Sequence, residues 1–452
     1  MDINTLIEAK SRGICDALLA ARDYLASKET AELLARVGTT IDSIPSAQHL
    51  DKRFIQASYV TDKTGPPDDL LTGRGLFYIT EQRRLFLDCT AGHYQMTWGY
   101  NHPDLNDVIR QALDAGIVWD DHSNIPGNPV KRLSERLVEA TGGALDTVNL
   151  GVCTGSLAAG TALKIALKHH EKRRPNIPPV FVTVNGNYHG TDFLTQRLRG
   201  MWERYLGGLD VASVEPNDLA MLRDAFHRSR GRVVAFFSEP ILMNREAILI
   251  EKAFMHEARA LCDEADACMV IDEIQTCFWR PDVFMFREYD LIPDMLVVGK
   301  GMTAGFHPLS ALVYRRKFDC LEQYDALCTN GNAPLAALLA LACFALLEEN
   351  RNRVNDVSAY YFARLQEIPA AHPKVVAAIH GKGLLAGIKF RTVEAALEFH
   401  RCCVAAGLWV RVHAYHEGHS TVLTKLGLLA DRQIADFVVD RFIRILAEMS
   451  HG

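Results

Sequence analysis

The sequence has little of what marks membrane-spanning, secreted or nucleic-acid-binding proteins. No apolar run approaches the roughly 20 residues that a spanning helix needs, so we expect no membrane segment. The chain begins Met-Asp-Ile-Asn-Thr, without the basic region of a secretory signal. A net charge of −6, spread along the chain, leaves no basic patch for nucleic acid or for a membrane surface.

The cysteines also lack the spacing of a disulfide framework or a zinc site. The chain has 11 of them, none arranged as C-x-x-C, and Cys402 and Cys403 are adjacent. An odd number with irregular spacing favours free, buried thiols in a reducing compartment. We therefore predict a cytoplasmic protein without a bound metal.

Short apolar runs alternate with helical patterns in the sequence as far as about residue 313. Fully apolar strands between helices predict an α/β fold, with a mostly parallel sheet covered by helices on both faces. Candidate strands are Val180–Val184, Val233–Phe237, Met269–Asp272, Met295–Val298 and Ala311–Tyr314. Candidate helices between them are Leu157–His169, Leu219–Ser229 and Ala253–Glu264.

The rest of the chain predicts elements on either side of this sheet. A helical pattern runs from Thr5 to Val37, and a turn-rich stretch at Gly65–Asp69 follows it. After Pro334 we expect helices and two strands, at Leu335–Glu348, Val354–Leu365, Val375–Ala378, Leu384–Phe390 and Arg432–Met449. We therefore predict an N-terminal helical segment and arm (residues 1–72), a large α/β domain (73–325) and a small α+β domain (326–452).

Two charged residues stand where predicted strands end. Asp272 follows four apolar residues, and Lys300 follows Met295–Val298 and a glycine. Open α/β sheets bind ligands at the carboxyl ends of their strands. Lysine is rare at such a position unless it is paired or reactive. Taken alone, Lys300 is equally explained as a lysine whose long side chain reaches solvent from the end of a strand.

Two further segments carry a possible phosphate site and an aromatic ring. Gly155 and Ser156 begin a predicted helix, where free N–H groups and the helix dipole favour an anion, although an ordinary N-cap explains them too. Tyr188 follows the strand Val180–Val184, where core packing is the alternative. A phosphate site, a ring, a carboxylate and a lysine together are what pyridoxal phosphate requires.

The order and spacing of these segments resemble the class III aminotransferases, a family of fold type I pyridoxal-phosphate enzymes. The resemblance is clear from about Gly73 to Glu349 and weaker elsewhere. It is carried by Leu87-Asp88, Gly92, Gly99–Pro103, Thr154–Ser156, Tyr188–Gly190, Glu239-Pro240, Asp272–Thr276, Pro293-Asp294, Lys300-Gly301, Thr329, Gly331 and Pro334.

The resemblance implies a role for each matching residue. Lys300 would carry the cofactor as an imine and move the proton, Asp272 would pair with the pyridine nitrogen, and Tyr188 would stack on the ring. Gln275 would bond the ring 3-oxygen, and Thr329 would reach the phosphate of the neighbouring subunit, which implies a homodimer with cofactor sites at its interface. The residues so assigned to the cofactor are Gly155, Ser156, Tyr188, His189, Asp272, Gln275, Lys300 and Thr329.

The sequence departs from the family at positions expected near the substrate. Leu157 replaces an acidic residue, Trp279 and Pro281 replace glycines, and bulky polar residues replace small apolar ones from His93 onward. His419–Leu428 contains no arginine to bind a substrate α-carboxylate; Lys425 is a partial substitute, and Arg411 or Arg280 is an alternative. The candidate substrate residues are His93, Tyr94, Gln95, Glu239, Trp279 and Lys425.

Three functions remain open at this point. The leading prediction is an aminotransferase that moves an amino group between an amine or amino acid and an oxo acid or aldehyde. A racemase or epimerase, a decarboxylase or an aminomutase uses the same cofactor, because pocket contacts select which bond breaks. A catalytically silent binding protein is the third, and the intact set of Lys300, Asp272, Gln275 and Tyr188 argues against it.

Overall fold

The computed structural model describes residues 5–6, 13–47, 55, 69–117 and 125–449. The chain forms two compact units: Asp104–Asn355, called the central unit here, and Met1–Pro103 together with Asp356–Gly452, called the terminal unit. The predicted three-part division at residues 72 and 325 stays a prediction.

The strands and helices are as follows. The strands are β1 (Leu70–Arg74), β2 (Phe77–Thr80), β3 (Leu85–Asp88), β4 (Thr147–Val152), β5 (Val180–Val184), β6 (Asp210–Val214), β7 (Val233–Ser238), β8 (Ile241–Leu242), β9 (Ile248–Leu249), β10 (Cys268–Asp272), β11 (Met295–Val298), β12 (Ser310–Tyr314), β13 (Val376–Lys382), β14 (Leu385–Phe390), β15 (Leu408–Trp409), β16 (Arg411–Val412) and β17 (Thr421–Lys425). The helices are Ile14–Ser27, Thr30–Arg36, Ala91–Tyr94, Pro103–Asp114, Asn128–Ala140, Gly155–Arg173, Phe193–Arg197, Leu219–Arg228, Lys252–Ala265, Pro334–Glu349, Arg351–Gln366, Ile368–Ala371, Val393–Ala405, Ala414–Glu417 and Arg432–Met449. Short 3₁₀ turns lie at Glu203–Tyr205, Met285–Tyr289, Lys300–Thr303 and Arg316–Phe318.

A seven-stranded sheet forms the centre of the central unit. Its strand order is β4-β12-β11-β10-β7-β5-β6. β10 runs parallel to β7 and β11, and β5 runs parallel to β6 and β7. β12 is antiparallel to both of its neighbours. The predicted α/β fold with a mostly parallel sheet is therefore confirmed.

The core of this unit follows from the apolar runs. Every residue of β5, β7, β10, β11 and β12 is buried, as expected for strands that are covered on both faces. The helix Gly155–Arg173 packs small side chains against the sheet, among them Ala158, Ala162 and Ala166. It begins at Thr154, whose hydroxyl accepts a hydrogen bond from the Leu157 N–H.

The terminal unit has two four-stranded sheets. One has the order β1-β2-β3-β15, and the other has the order β13-β14-β17-β16. In the second sheet all neighbouring strands are antiparallel. Its strands lie beside the helix Val393–Ala405, which also packs against Arg432–Met449.

The helical pattern predicted from Thr5 to Val37 implied one continuous helix. The structure instead has two helices there, Ile14–Ser27 and Thr30–Arg36. The pattern breaks between Ser27 and Thr30, because Glu29 adopts an extended conformation and starts a second helix. The Glu29 N–H donates to the Glu32 carboxylate, and the Glu29 side chain accepts from the helix in return. Residues 7–12 of this pattern, and 65–68 of the predicted turn, lie outside the described residues. Within the described ranges, no helix combines the length and the apolar character needed to cross a membrane.

Candidate active site

A cavity of about 200 Å³ lies in the central unit, beside the carboxyl ends of β4, β5, β10 and β11. Segments far apart in the chain meet there because parallel strands end at the same edge of a sheet. The lining residues are Gly155, Ser156, Tyr188, His189, Gly190, Asp272, Ile274 and Lys300. The structure thus brings together most of the residues that the sequence assigned to a cofactor.

Asp272 presents a buried carboxylate at the end of β10. Its Oδ2 lies 2.7 Å from Nδ1 of His189, and its Oδ1 accepts a hydrogen bond of 2.9 Å from the Ile274 N–H. The His189 ring packs edge-on against Phe237, with 4.4 Å between the ring centroids. His189 therefore orients the Asp272 carboxylate, and both side chains are held by the core.

Lys300 follows β11 and enters the cavity from a left-handed backbone conformation, with φ at 36°. A side chain on the preceding Gly299 would meet Ser310 Oγ at 2.6 Å and Ile274 Cδ1 at 2.7 Å, so both of these side chains would have to shift to admit one. The residue keeps some exposed surface because it faces the cavity. Burial of the amine nevertheless lowers the pKa of Lys300, and the nearby Asp272 and Glu239 only partly oppose that shift.

Small residues shape the end of the cavity nearest the helix Gly155–Arg173. A side chain at Gly190, where φ is 128°, would meet Ser156 Oγ at 2.3 Å. The Ser156 hydroxyl accepts a hydrogen bond of 3.0 Å from the Thr191 N–H. Glycine at 190 thus leaves room beside Ser156 at a helix start, where backbone N–H groups favour an anion.

Glu239 lies fully buried behind the cavity. Its Oε2 accepts a 2.7 Å hydrogen bond from the Tyr188 N–H, and its Oε1 accepts a 2.8 Å bond from Nε2 of Gln275. Burial, with Asp272 as the second cause, raises the pKa of Glu239 to about 8. The same Nε2 of Gln275 donates to Asn244 Oδ1 at 3.1 Å, so both amide hydrogens point to these two residues. The role of Gln275 at the ring 3-oxygen stays a prediction.

Two other predicted site residues of the central unit lie outside the cavity lining. Trp279 is buried, and its indole N–H has no hydrogen-bond partner among the described residues. Thr329 is exposed and precedes Asn330, whose φ is 66°. Their proposed contacts with the substrate and with a neighbouring subunit remain predictions.

The other candidate substrate residues belong to the terminal unit. His93 and Gln95 are exposed, whereas Tyr94 and Lys425 are buried. The Lys425 amine lies 3.4 Å from the centroid of the Tyr94 ring, close enough for a cation–π interaction. Tyr94 and Lys425 therefore form one buried pair, whereas the residues on either side of Tyr94 are exposed.

The segment that carries Tyr94 has an unusual backbone. From Ala91 to Tyr94 every φ is positive, between 45° and 75°, which makes a single left-handed turn. The buried Asp88 carboxylate holds this turn, since it accepts hydrogen bonds from the N–H of Thr90 at 2.7 Å and of Gly92 at 2.9 Å. It also accepts from the hydroxyl of Tyr100 at 2.8 Å. Strain of this kind persists only where the surroundings enforce it.

Sequence reasoning missed Ile274 and Gly299 at the cavity. Ile274 lines it, and Gly299 permits the close packing that places Lys300. The available signal for Ile274 was its position two residues after Asp272. Gly299 directly precedes Lys300, where a glycine marks a close approach of the backbone.

The residues that meet at this cavity fit pyridoxal phosphate. The Gly155–Gly190 end is open to a phosphate, Asp272 can hold a proton on a ring nitrogen, and Lys300 supplies an amine of lowered pKa. The buried Nε2 of His189 has no hydrogen-bond partner among the described residues. No group of three or more metal-binding side chains occurs within the described part of the chain.

Comparisons with known sequences agree with this assignment. A family model described as "Aminotransferase class-III" matches residues 67–446. The chain is 29% identical over 344 residues to the acetylornithine aminotransferase of Agrobacterium fabrum, covering 72% of this chain and 81% of that relative. It is 24% identical over 428 residues to an omega-aminotransferase of Caulobacter vibrioides, covering 85% and 94%.

Solved structures share the fold. The ornithine aminotransferase of Toxoplasma gondii ME49 superposes with a TM-score of 0.77 at 21% identity, over 87% of this chain and 94% of that chain. The N-acetylornithine aminotransferase of Stenotrophomonas maltophilia K279a gives a TM-score of 0.72 at 24% identity, over 87% and 99%. The predicted fold type I architecture is thereby confirmed.

Proposed function

The chain belongs to the class III aminotransferases and is a pyridoxal-phosphate-dependent enzyme, and we propose that its cofactor is bound covalently by Lys300. The observation that carries this proposal is the meeting of Lys300, Asp272 and Tyr188 at one cavity. In this proposal the enzyme moves an amino group between an amine or amino acid and an oxo acid or aldehyde.

Each residue of the cavity has a task that follows from its chemistry. When bound, pyridoxal phosphate supplies an aldehyde that condenses with amines and a ring that accepts electrons. The Asp272 carboxylate, oriented by His189, holds a proton on the ring nitrogen. Gly155 and Ser156 bind the phosphate through the start of their helix. Tyr188 and Ile274 line the cavity, and in this proposal they bind the ring.

The amine of Lys300 also moves the proton of the reaction. Its lowered pKa leaves more of the amine neutral near pH 7, and a neutral amine can accept a proton from a substrate carbon. The raised pKa of Glu239 has a related effect. A protonated Glu239 avoids placing a second negative charge beside Asp272.

Reduction with borohydride tests the covalent link. The phosphopyridoxyl group should then be found on the peptide that contains Lys300. A label on Lys164, Lys382 or Lys425 would contradict the assignment. Lys300→Ala should still bind the cofactor but lose turnover by several orders of magnitude, because both the covalent partner and the proton carrier are removed.

A screen of amino donors tests the reaction type. Transamination converts the cofactor to its pyridoxamine form, and the absorbance changes accordingly. Racemisation or epimerisation leaves the cofactor in its original form. A donor that is consumed or inverted without this change would favour one of the single-substrate reactions instead.

We further propose a cytoplasmic homodimer. The exposure of Thr329 supports a contact with the cofactor phosphate of a second subunit, and all 11 cysteines are free thiols. A monomer with unchanged cofactor affinity would count against the shared site.

Glutamate and 2-oxoglutarate are poor substrates in this proposal. The stretch His419–Leu428 offers no arginine fork, and Lys425 is buried with its amine against Tyr94. Loss of a charged hydrogen bond of about 1.5–3 kcal/mol weakens binding roughly ten- to a hundredfold. A kcat/KM for glutamate above about 10⁴ M⁻¹s⁻¹, abolished by Lys425→Ala, would instead indicate a conventional glutamate aminotransferase.

A further inference from the structure

The amine of Lys425 is enclosed beneath an aromatic ring of the terminal unit. Lys425 is the last residue of β17, and its side chain is fully buried. Its amine lies 3.4 Å from the centroid of the Tyr94 ring. Its backbone N–H donates a 2.6 Å hydrogen bond to the carbonyl of Cys89, in the segment that leads to Tyr94. An anion from solution therefore cannot reach this amine in the structure as it stands.

The surroundings of Lys425 are basic. The pKa of His413 is lowered to about 3, first by burial and then by neighbouring positive charges. Those charges belong to Arg411, Lys425, His419 and His93. A carboxylate oxygen of Glu417 lies 3.3 Å from Nδ1 of His419 and 3.9 Å from Nδ1 of His413. A region with this many basic groups attracts anions, so its charge is not what keeps them from Lys425.

The Tyr94 ring is held over the amine by its own backbone. The buried Asp88 carboxylate accepts hydrogen bonds from two backbone N–H groups in and next to the left-handed turn that carries the ring. Tyr94 is 5% exposed, whereas His93 and Gln95 on either side of it are exposed. A nearly buried ring between two exposed neighbours, in contact with a fully buried amine, forms a layer between that amine and the surface.

We propose that Tyr94 is a specificity-determining residue, whose ring occupies the space in which a substrate carboxylate would otherwise contact Lys425. An ammonium group binds a carboxylate as a point charge and needs open space on one side only. The ring fills that space, and its π face stabilises the positive charge in place of an anion. The inference rests on the proposed function, because it gives the physical cause of the proposed rejection of glutamate.

The first test measures access to the amine in the holoenzyme. Tyr94→Ala removes the ring and opens a polar space that water can enter. Lys425 should then be labelled by an acylating reagent, as peptide mapping would show, under conditions that leave it unlabelled in the wild type. Tyr94→Gly is the second variant, because glycine adopts the φ of 75° at this position without strain. Lys425 that stays unlabelled in both folded variants, or that is already labelled in the wild type, would overturn the inference.

Two matched controls accompany this test. Tyr94→Phe keeps the ring and should leave Lys425 unlabelled. Tyr360→Ala removes another ring of the terminal unit that lies over a cation, since the guanidinium carbon of Arg432 is 4.8 Å from its centroid. It should also leave Lys425 unlabelled. Labelling of Lys425 in either control would show that general loosening of the unit exposes the amine, and it would overturn the inference.

The second test measures binding of acetate to the holoenzyme by calorimetry. The affinity should rise about ten- to a hundredfold in Tyr94→Ala, because a charged hydrogen bond becomes available. The gain should vanish in the double variant Tyr94→Ala/Lys425→Met, and acetamide, the neutral analogue, should show none. A gain that persists without Lys425, or that acetamide shares, would reflect only a new cavity and would contradict the inference.

Kinetics connect the amine with the reaction. The KM for glutamate should fall about ten- to a hundredfold in Tyr94→Ala and stay unchanged in Tyr94→Phe. The KM for propylamine, which has no carboxylate, should not fall in either variant. If Tyr94→Ala binds acetate through Lys425 but gains nothing with glutamate, the inference fails. If borohydride does not label Lys300, the proposed function fails, whereas the acetate result is independent of that label.

Discussion

Replacing Gly190 with alanine should weaken cofactor binding as well as lower protein stability. The new methyl group would stand 2.3 Å from Ser156 Oγ and 2.7 Å from Ser156 Cα. The second of these atoms is backbone, so a side-chain rotation cannot relieve the overlap. Ser156 and the start of its helix must move, which disturbs the residues proposed to bind the phosphate.

The expected loss of cofactor affinity in Gly190→Ala is worked out from two effects. A φ of 128° lies outside the conformations that alanine adopts easily, and strain of this kind costs about 1–3 kcal/mol. Overpacking in a tight site costs a further 1–3 kcal/mol or so. The backbone strain is present with and without cofactor, so it does not change the dissociation constant. If the overpacking cost falls only on the cofactor-bound form, the dissociation constant for pyridoxal phosphate should rise about five- to a hundredfold.

The assay is cofactor release measured by absorbance after dilution, with Gly208→Ala as the control. Gly208 also has a positive φ, of 86°, but a methyl group there would meet no atom within 4 Å. The control should therefore lose a little stability and keep its cofactor affinity. Equal affinity in the two variants would refute the claim that Gly190 keeps the phosphate site open.

Three further predictions concern the charge, the acidity and the assembly of the site. Asp272→Asn should retain the label on Lys300 but lose most activity, because an amide cannot hold the ring nitrogen protonated; activity within about threefold of wild type would show that another group does so. Burial raises the pKa of Glu239 from its ordinary 4.5 to about 8, so the folded protein without cofactor keeps a proton that the unfolded chain releases between these values. Its unfolding free energy should therefore fall as the pH rises from 4.5 to about 8, and Glu239→Gln should flatten that part of the curve in urea titrations. If Thr329 binds the partner's cofactor phosphate, dilution that dissociates the dimer should release cofactor, as sedimentation and absorbance measured together would show.

The cofactor site could be predicted because its chemistry requires particular residue types at particular places. A carboxylate and a lysine at the ends of apolar strands are conspicuous, and parallel strands bring such ends together. Asp272 ends β10 and Lys300 follows β11, and these two strands are hydrogen-bonded neighbours. Their nearness is therefore a consequence of strand order rather than of any contact between the side chains.

The hydrogen-bond partners within the site could not be predicted in the same way. Gln275 donates to Glu239 and Asn244, which lie 36 and 31 residues earlier in the chain. His189 pairs with Asp272 across 83 residues. Any buried polar group needs a partner, but several candidates satisfy that need equally well until the backbone is placed.

The backbone of the Tyr94 segment was also beyond sequence reasoning. Three of the four residues from Ala91 to Tyr94 are not glycine, and each costs about 1–2 kcal/mol in a left-handed conformation. Charged hydrogen bonds to Asp88 offset this cost, at about 1.5–3 kcal/mol each. Local propensity predicts no such turn, because the stabilising carboxylate acts from outside the segment.

The same turn explains why substrate recognition is harder to predict than cofactor binding. Its backbone buries Tyr94 and leaves His93 and Gln95 exposed, although all three were predicted from the sequence to contact the substrate. The buried ring then covers the amine of Lys425, which lies in a strand of a different segment. A cofactor demands the same atoms in every relative, whereas a substrate pocket depends on which way a few side chains turn.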